Sequence, residues 1–181
     1  MARHGRLSDA LANRFRRVKL LLCDVDGVLT DATVSLGPGI ELKRFCVRDW
    51  LAHRFVRDMG LRVGWISNRP STATAQRAEE LQIDYLVQER VSKVTAAGSL
   101  MERAGVAWDE VAFLGDDLVD LGLLRKVGLA VAVQNAIPEV KAVAHFVTQT
   151  PGGAGAFREV VDEMLRARGR WDDLCRAYAE G

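Results

Sequence analysis

Residues 18–31 read VKLLLCDVDGVLTD, and the fold turns on how they are read. Val18 to Cys23 is a short apolar run with no 3.6-residue period, the pattern of a strand buried on both faces. The run stops at Asp24-Val25-Asp26-Gly27, two carboxylates two residues apart followed by a glycine. By itself this segment fits an ordinary Asp-Gly turn and a catalytic loop about equally well. It does not fit an EF-hand loop, whose fifth, sixth and twelfth positions would be Val28, Leu29 and Ser35.

The same strand-then-polar-turn unit recurs along the chain. Apolar runs at 61–66, 85–87, 111–114, 129–133 and 146–147 alternate with helical patterns at 51–59, 71–81, 91–104 and 117–126. Gly60 and Gly105 stand where helices would stop. Phe157, Val160, Val161, Met164 and Leu165 then line one face of a further helix. Alternation of this kind predicts an α/β fold, a doubly wound, Rossmann-like parallel sheet with helices on both faces. Two short segments, 33–36 and 41–46, flank Gly37-Pro38-Gly39 and read as a protruding β-hairpin. The expected organisation is a basic arm at 1–17, a catalytic domain at 18–168 with the hairpin at about 33–46, and a tail helix at 169–181.

Length and composition agree with a single globular domain: 181 residues, 49% apolar and 27% charged. Cys23, Cys46 and Cys175 are far apart with no C-x-x-C pair, which argues against a zinc knot or disulfide framework and for a reduced, cytoplasmic setting. No apolar run is long enough to span a bilayer, so no membrane partner is expected. Residues 1–19 hold six basic side chains (Arg3, Arg6, Arg14, Arg16, Arg17, Lys19) against Asp9. This arm is read as a loosely docked terminal helix; with Phe15 as its lone aromatic it lacks the stacking groups of a nucleic-acid binder.

In doubly wound sheets, ligands bind beyond the carboxyl ends of the strands. The polar residues at those ends are Asp24 and Asp26; Ser67, Asn68 and Arg69; and Gly115-Asp116-Asp117 with Asp120. Lys93 opens a helix after a further strand. Helix capping accounts for one or two of the acids at 116–120, but not for all three beside Asp24. Carboxylates without His or Cys suit a hard cation, and Mg²⁺ is the usual partner of phosphates. With Ser67 and Lys93 as hydroxyl and cation, the set fits phosphoryl transfer.

These motifs, DVDGVLTD, the serine before Asn68-Arg69, Lys93 and GDDLVD, resemble in order the four motifs of the haloacid dehalogenase-like phosphohydrolases. The first motif's form, the hairpin and Val47-Arg48-Asp49 resemble the capless branch of the 3-deoxy-D-manno-octulosonate 8-phosphate phosphatases and related sugar-acid phosphatases. The resemblance implies Asp24 as nucleophile forming an aspartyl-phosphate and Asp26 as general acid/base. It implies a Mg²⁺ site from Asp24, the Asp26 carbonyl and Asp116, supported by Asp117 and Asp120. Ser67 and Lys93 would hold the phosphoryl oxygens. Asn68 would lie beside them, and Cys46, Val47, Arg48, Asp49, Trp50, Arg54, Arg69 and Arg77 would border a small phosphorylated sugar acid.

Three positions depart from that branch. Trp50 and Asn68 stand in place of glycines, and Ala154 in place of an arginine. His53 either lines the altered pocket or is a structural histidine of a helix face. The four arginines could hold a second anion or pair with nearby acids such as Asp49, Asp58 and Glu80. Twenty residues separate Gly27 from Arg48 and 21 separate Lys93 from Gly115. Neither gap holds a cap domain of even ~50 residues. The resemblance therefore implies a homotetramer built through the hairpin, with a neighbour's tail as lid. Alternative functions are a phosphatase for another small phosphomonoester, a subunit of an aromatic-phosphate-processing complex, and a binding subunit without turnover.

Overall fold

A computed structural model describes residues 7–180. In chain order the elements are α1 (Asp9–Arg17), β1 (Leu20–Cys23), β2 (Ser35–Gly37), β3 (Ile40–Leu42), α2 (Val47–Asp58), β4 (Arg62–Ser67), α3 (Thr72–Glu80), β5 (Tyr85–Gln88) and α4 (Lys93–Ala104). There follow β6 (Val111–Gly115), α5 (Leu121–Leu124), β7 (Leu129–Ala132), α6 (Pro138–Val143), β8 (Phe146–Val147), α7 (Ala156–Ala167) and α8 (Trp171–Glu180). Six strands form one parallel sheet in the order β5-β4-β1-β6-β7-β8. The doubly wound expectation is correct.

The chain leaves β1 toward β4 and β5, then returns to β1's other side with β6. That reversal puts the crevice between the carboxyl ends of β1 and β6. Register brings the two ends level, with Cys23 beside Leu114 and the Asp24 amide bonded to the Leu114 carbonyl at 3.0 Å. Every residue of β1, β6 and β7 is buried, as strands covered on both faces require. Helices α1, α2 and α7 pack together, as do α4, α5 and α6. No helix among the described residues is long and apolar enough to cross a membrane.

Three expectations need correction, and one helix goes beyond them. The hairpin strands are only three residues each, because Phe45 leaves β3's partner and bridges to Thr30 instead. The helix expected at 117–126 is a 3-10 turn at Leu118–Asp120 followed by one α turn, since Asp120 turns back to accept the amides of Asp116 and Asp117. Pro138 opens α6, which apolar periodicity did not reveal. The basic segment is not a loose arm from residue 8 onward. Ser8 caps α1, Phe15 is fully buried edge-on to Phe146, and Arg14 and Arg16 bond the carbonyls of Gly128 and Ala167. Arg17 pairs with Asp109; Arg3 and Arg6 lie outside the described residues.

Candidate active site

An open cleft of about 370 Å³ lies over the switch point and is lined by Asp24, Asp26, Ser67, Asn68, Arg69, Lys93, Asp116 and Asp117, together with Ala32 and Val119. Residues from four strand ends thus meet in one place. Asp24 is the first residue beyond β1, 7% exposed, and its Oδ1 accepts from the Val25 amide at 2.7 Å. Lys93, the first residue of α4, reaches the same oxygen at 2.9 Å and Asp120 Oδ1 at 2.6 Å. Burial raises the Asp24 carboxyl to about 6 against the pull of Lys93. Burial alone would lower the Lys93 ammonium, but Asp24 and Asp120 outweigh it and raise it.

One lysine is shared by more acid than it can neutralise. Asp116 follows β6, its Oδ1 is buried with no hydrogen-bond partner, and burial together with Asp24 and Asp120 pushes its carboxyl to about 7. Oxygens of Asp24, Asp116 and Asp120 lie within 4.8 Å of one another. An orphaned buried oxygen in an all-carboxylate set fits a hard divalent cation. Asp117 lies further out, exposed, and caps the following turn through the Leu118 amide at 2.7 Å.

Glycine makes this approach feasible. Gly27 has φ +100°, and a Cβ there would overlap the Asp116 carboxylate. Gly152 packs against the Gly27 carbonyl, and the Gly153 amide bonds the Val28 carbonyl at 3.0 Å, so the 151–155 loop braces the turn after Asp24.

Asp26 points to a partner that the sequence reading missed. Lys43, whose side chain is fully buried, contacts both Asp26 oxygens at 2.7 and 2.9 Å and donates to Thr74 Oγ1 at 3.1 Å. Two residues earlier Glu41 accepts from Arg69 at 2.8 Å and from the Ser71 hydroxyl. Ile40 and Leu42 are 58% and 63% exposed. The alternation of 40–43 is therefore inverted, charge inward and hydrocarbon outward. That inversion is the signal that could have singled out Lys43.

The remaining candidates divide. Ser67 ends β4 with its hydroxyl bonded to the amide and carbonyl of Arg69 at 3.1 and 3.2 Å. The Asn68 amide is spent on the carbonyls of Glu89 and Val91, bracing the approach to Lys93. Cys46, Asp49 and Arg77 instead line a separate void of about 10 Å³ with His53 and Trp65. There burial raises Asp49 to about 6, while its Oδ1 caps α7 through the Arg158 amide at 2.9 Å. Arg77 pairs with Glu80 and Arg54 with Asp58. Arg48 bonds the Ala154 carbonyl and lies on another groove. Val47 and Trp50 are exposed outside the cleft.

His53 is structural. It stacks on Phe157 at 4.2 Å, its Nδ1 lies 2.6 Å from the Asp49 carbonyl, and its Nε2 accepts from Trp65 at 3.3 Å. Those partners require a neutral ring, and burial lowers it to about 4. The tail helix α8 packs on its own chain, with Tyr178 edge-on to Phe55, not over the cleft.

A family model described as haloacid dehalogenase-like hydrolase matches residues 64–158. The 3-deoxy-D-manno-octulosonate 8-phosphate phosphatase KdsC of Salmonella typhi is 38% identical over 171 residues, 94% of this chain and 91% of the relative. The crystal structure of 3-deoxy-D-manno-octulosonate 8-phosphate phosphatase from Moraxella catarrhalis, in complex with magnesium, phosphate and KDO, superposes with a TM-score of 0.91. It is 31% identical and covers 95% of this chain and 99% of its own. A cobalt-bound deoxy-D-mannose-octulosonate 8-phosphate phosphatase from Haemophilus influenzae gives 0.84 at 36% identity, with 87% and 93% covered. With nearly full-length similarity to named phosphatases and a carboxylate cluster at the sheet's switch point, this chain belongs to the haloacid dehalogenase-like hydrolases and is a phosphomonoester hydrolase.

Proposed function

We propose that the chain is a Mg²⁺-dependent phosphatase of a small phosphorylated sugar acid, 3-deoxy-D-manno-octulosonate 8-phosphate or a close analogue, working through an aspartyl-phosphate. The observation that carries the reading is the gathering of Asp24, Asp26, Ser67, Lys93 and Asp116 around one cleft. Asp24, fixed by the Val25 amide and Lys93, attacks phosphorus with its second oxygen. The ester P–O bond breaks, and the leaving oxygen takes a proton from Asp26 to depart as an alcohol. Asp26, now a carboxylate, removes a proton from the water that attacks the acyl-phosphate and so frees Asp24 and inorganic phosphate. Ser67 and Lys93 hold the phosphoryl oxygens, and Asp24, the Asp26 carbonyl and Asp116 would hold the metal, with Asp117 and Asp120 behind them. When bound, Mg²⁺ supplies the charge that offsets the phosphoryl oxygens and the crowded carboxylates.

Within one chain only Arg69 of the four candidate arginines borders the cleft, and it is paired with Glu41. The sugar-acid carboxylate therefore needs a cation from elsewhere, which supports a site completed by a neighbouring subunit. The hairpin offers Leu36, Ile40 and Leu42, 75%, 58% and 63% exposed, as the apolar surface for a homotetramer. Replacing Ile40 and Leu42 by serine should then lower the mass seen by light scattering; an unchanged mass would remove the hairpin from the interface. The substrate reading is tested by ranking phosphorylated metabolites by kcat/KM with and without Mg²⁺. Sugar-acid phosphates should lead, and neutral sugar phosphates should trail. The reverse order would favour the reading as a phosphatase for another phosphomonoester, which the exposed Trp50 and the locally paired Arg54 and Arg77 favour.

A further inference from the structure

The hairpin does more than present an outer surface, because its inner edge touches the acid/base. Lys43 has no exposed side-chain area, yet its ammonium is aimed at a partly exposed carboxylate rather than at solvent. Burying an ammonium is costly unless it is paired and hydrogen-bonded. Here it donates to Asp26 Oδ2 at 2.9 Å and to the Thr74 hydroxyl at 3.1 Å, while Asp26 Oδ1 lies 2.7 Å away in ion-pair contact without a hydrogen bond. Thr74 is itself fully buried in α3, so the lysine is anchored at its far side by a rigid element. The strand that bears it is fastened by Glu41 to Arg69 and Ser71. A carboxyl anchored through Oδ2 loses much of its freedom to rotate about χ2 and keeps Oδ1 without a hydrogen bond, able to carry the transferred proton, and general acid catalysis depends on that geometry.

We infer that Lys43 is a positioning residue for Asp26, holding the acid/base carboxyl in the orientation from which it protonates the leaving oxygen. This rests on the proposed phosphatase chemistry and adds to it a residue of the hairpin. The balance of the step is unchanged: Asp24 forms the new P–O bond, the ester P–O bond breaks, and the proton passes from Asp26 to the departing oxygen. Only the placement of the donor depends on Lys43.

The dependence on leaving group separates this role from a merely structural one. An alkoxide of a sugar needs the proton, whereas 4-nitrophenolate leaves without it. The full-length enzyme with Mg²⁺ is assayed for kcat/KM, which reports formation of the phosphoenzyme, on 3-deoxy-D-manno-octulosonate 8-phosphate and on 4-nitrophenyl phosphate. Lys43→Met should lower the value about 10–100-fold on the alkyl ester, part of the range general acid catalysis spans, and by no more than about 3-fold on the aryl ester. Thr74→Val, which removes one hydroxyl without changing side-chain shape, should shift the same ratio in the same direction by less. In an Asp26→Asn background Lys43→Met should have no further effect on the alkyl ester. Equal losses on both esters, full additivity with Asp26→Asn, or no loss at all would overturn the inference. Wild-type protein inactive on both esters would overturn the phosphatase reading itself, and the inference with it.

Discussion

Replacing Lys93 by methionine removes one charge from the middle of the carboxylate cluster and keeps most of the side-chain volume. Its ammonium lies 2.9 Å from Asp24 and 2.6 Å from Asp120, with all three side chains buried. At an effective dielectric of about 20, each contact is worth about 6 kcal/mol by Coulomb's law. Desolvating the lysine and the acids offsets much of that sum, so the net cost of deleting the cation should be about 3–5 kcal/mol, the range for breaking a buried pair by removing one partner. The loss has a pH signature. Asp24 sits at about 6 and Asp116 at about 7, above unfolded carboxylates, so the folded state binds protons more tightly. Acidification through 7 to 5 should therefore return part of the lost stability, and alkaline pH should not. Urea unfolding followed by circular dichroism, in EDTA at pH 8 and at pH 5.5, reads both effects. A variant within about 1 kcal/mol of the parent at pH 8 would instead put the lysine in the class of exposed ion pairs.

Gly27→Ala should fold with a stability loss of about 1–3 kcal/mol from its positive φ. Because the new Cβ displaces the Asp116 carboxylate, calorimetry should show Mg²⁺ affinity falling by more than its thermal shift alone explains. Asp24→Asn should abolish turnover in a phosphate-release assay without unfolding the chain, since the amide cannot attack phosphorus; Asp26→Asn should lower kcat/KM on alkyl phosphates by roughly 10²–10⁴-fold. Mg²⁺ affinity should fall as pH drops below 7, because Asp116 at about 7 and Asp24 at about 6 must lose protons to bind it. Calorimetry between pH 8 and pH 5.5 measures this, and a flat profile would place the metal elsewhere.

The parts of the site that strand ends deliver were legible in the sequence, because a buried apolar run followed by carboxylates leaves few places for those carboxylates to go. Asp24, Ser67, Lys93 and Asp116 all meet in the cleft for that reason. Contacts that depend on how two distant loops approach were not legible. Nothing in residues 40–45 alone says that Lys43 will reach Asp26, although the inverted alternation with Ile40 and Leu42 hinted at it. The arginines show the other limit. Arg54 and Arg77 have acids within one helical turn at Asp58 and Glu80, and local pairing wins over a distant anion. Asn68 does line the cleft, but its amide is committed to the carbonyls of Glu89 and Val91, 21 and 23 residues along the chain. The three acids within residues 116–120 divide: Asp117 takes the cap, Asp120 turns back on the backbone, and of the three Asp116 alone is left with an unpartnered oxygen.

In the proposed mechanism Asp24 becomes phosphorylated in every turnover. Mixing the Mg²⁺-loaded enzyme with excess 3-deoxy-D-manno-octulosonate 8-phosphate, quenching in acid within the first turnovers and mapping peptides by mass spectrometry tests it directly. The expected result is a phosphoryl group on Asp24 that hydroxylamine removes and that Asp24→Asn lacks. Rapid release of phosphate with no adduct on that aspartate, or an adduct on another residue, would contradict it.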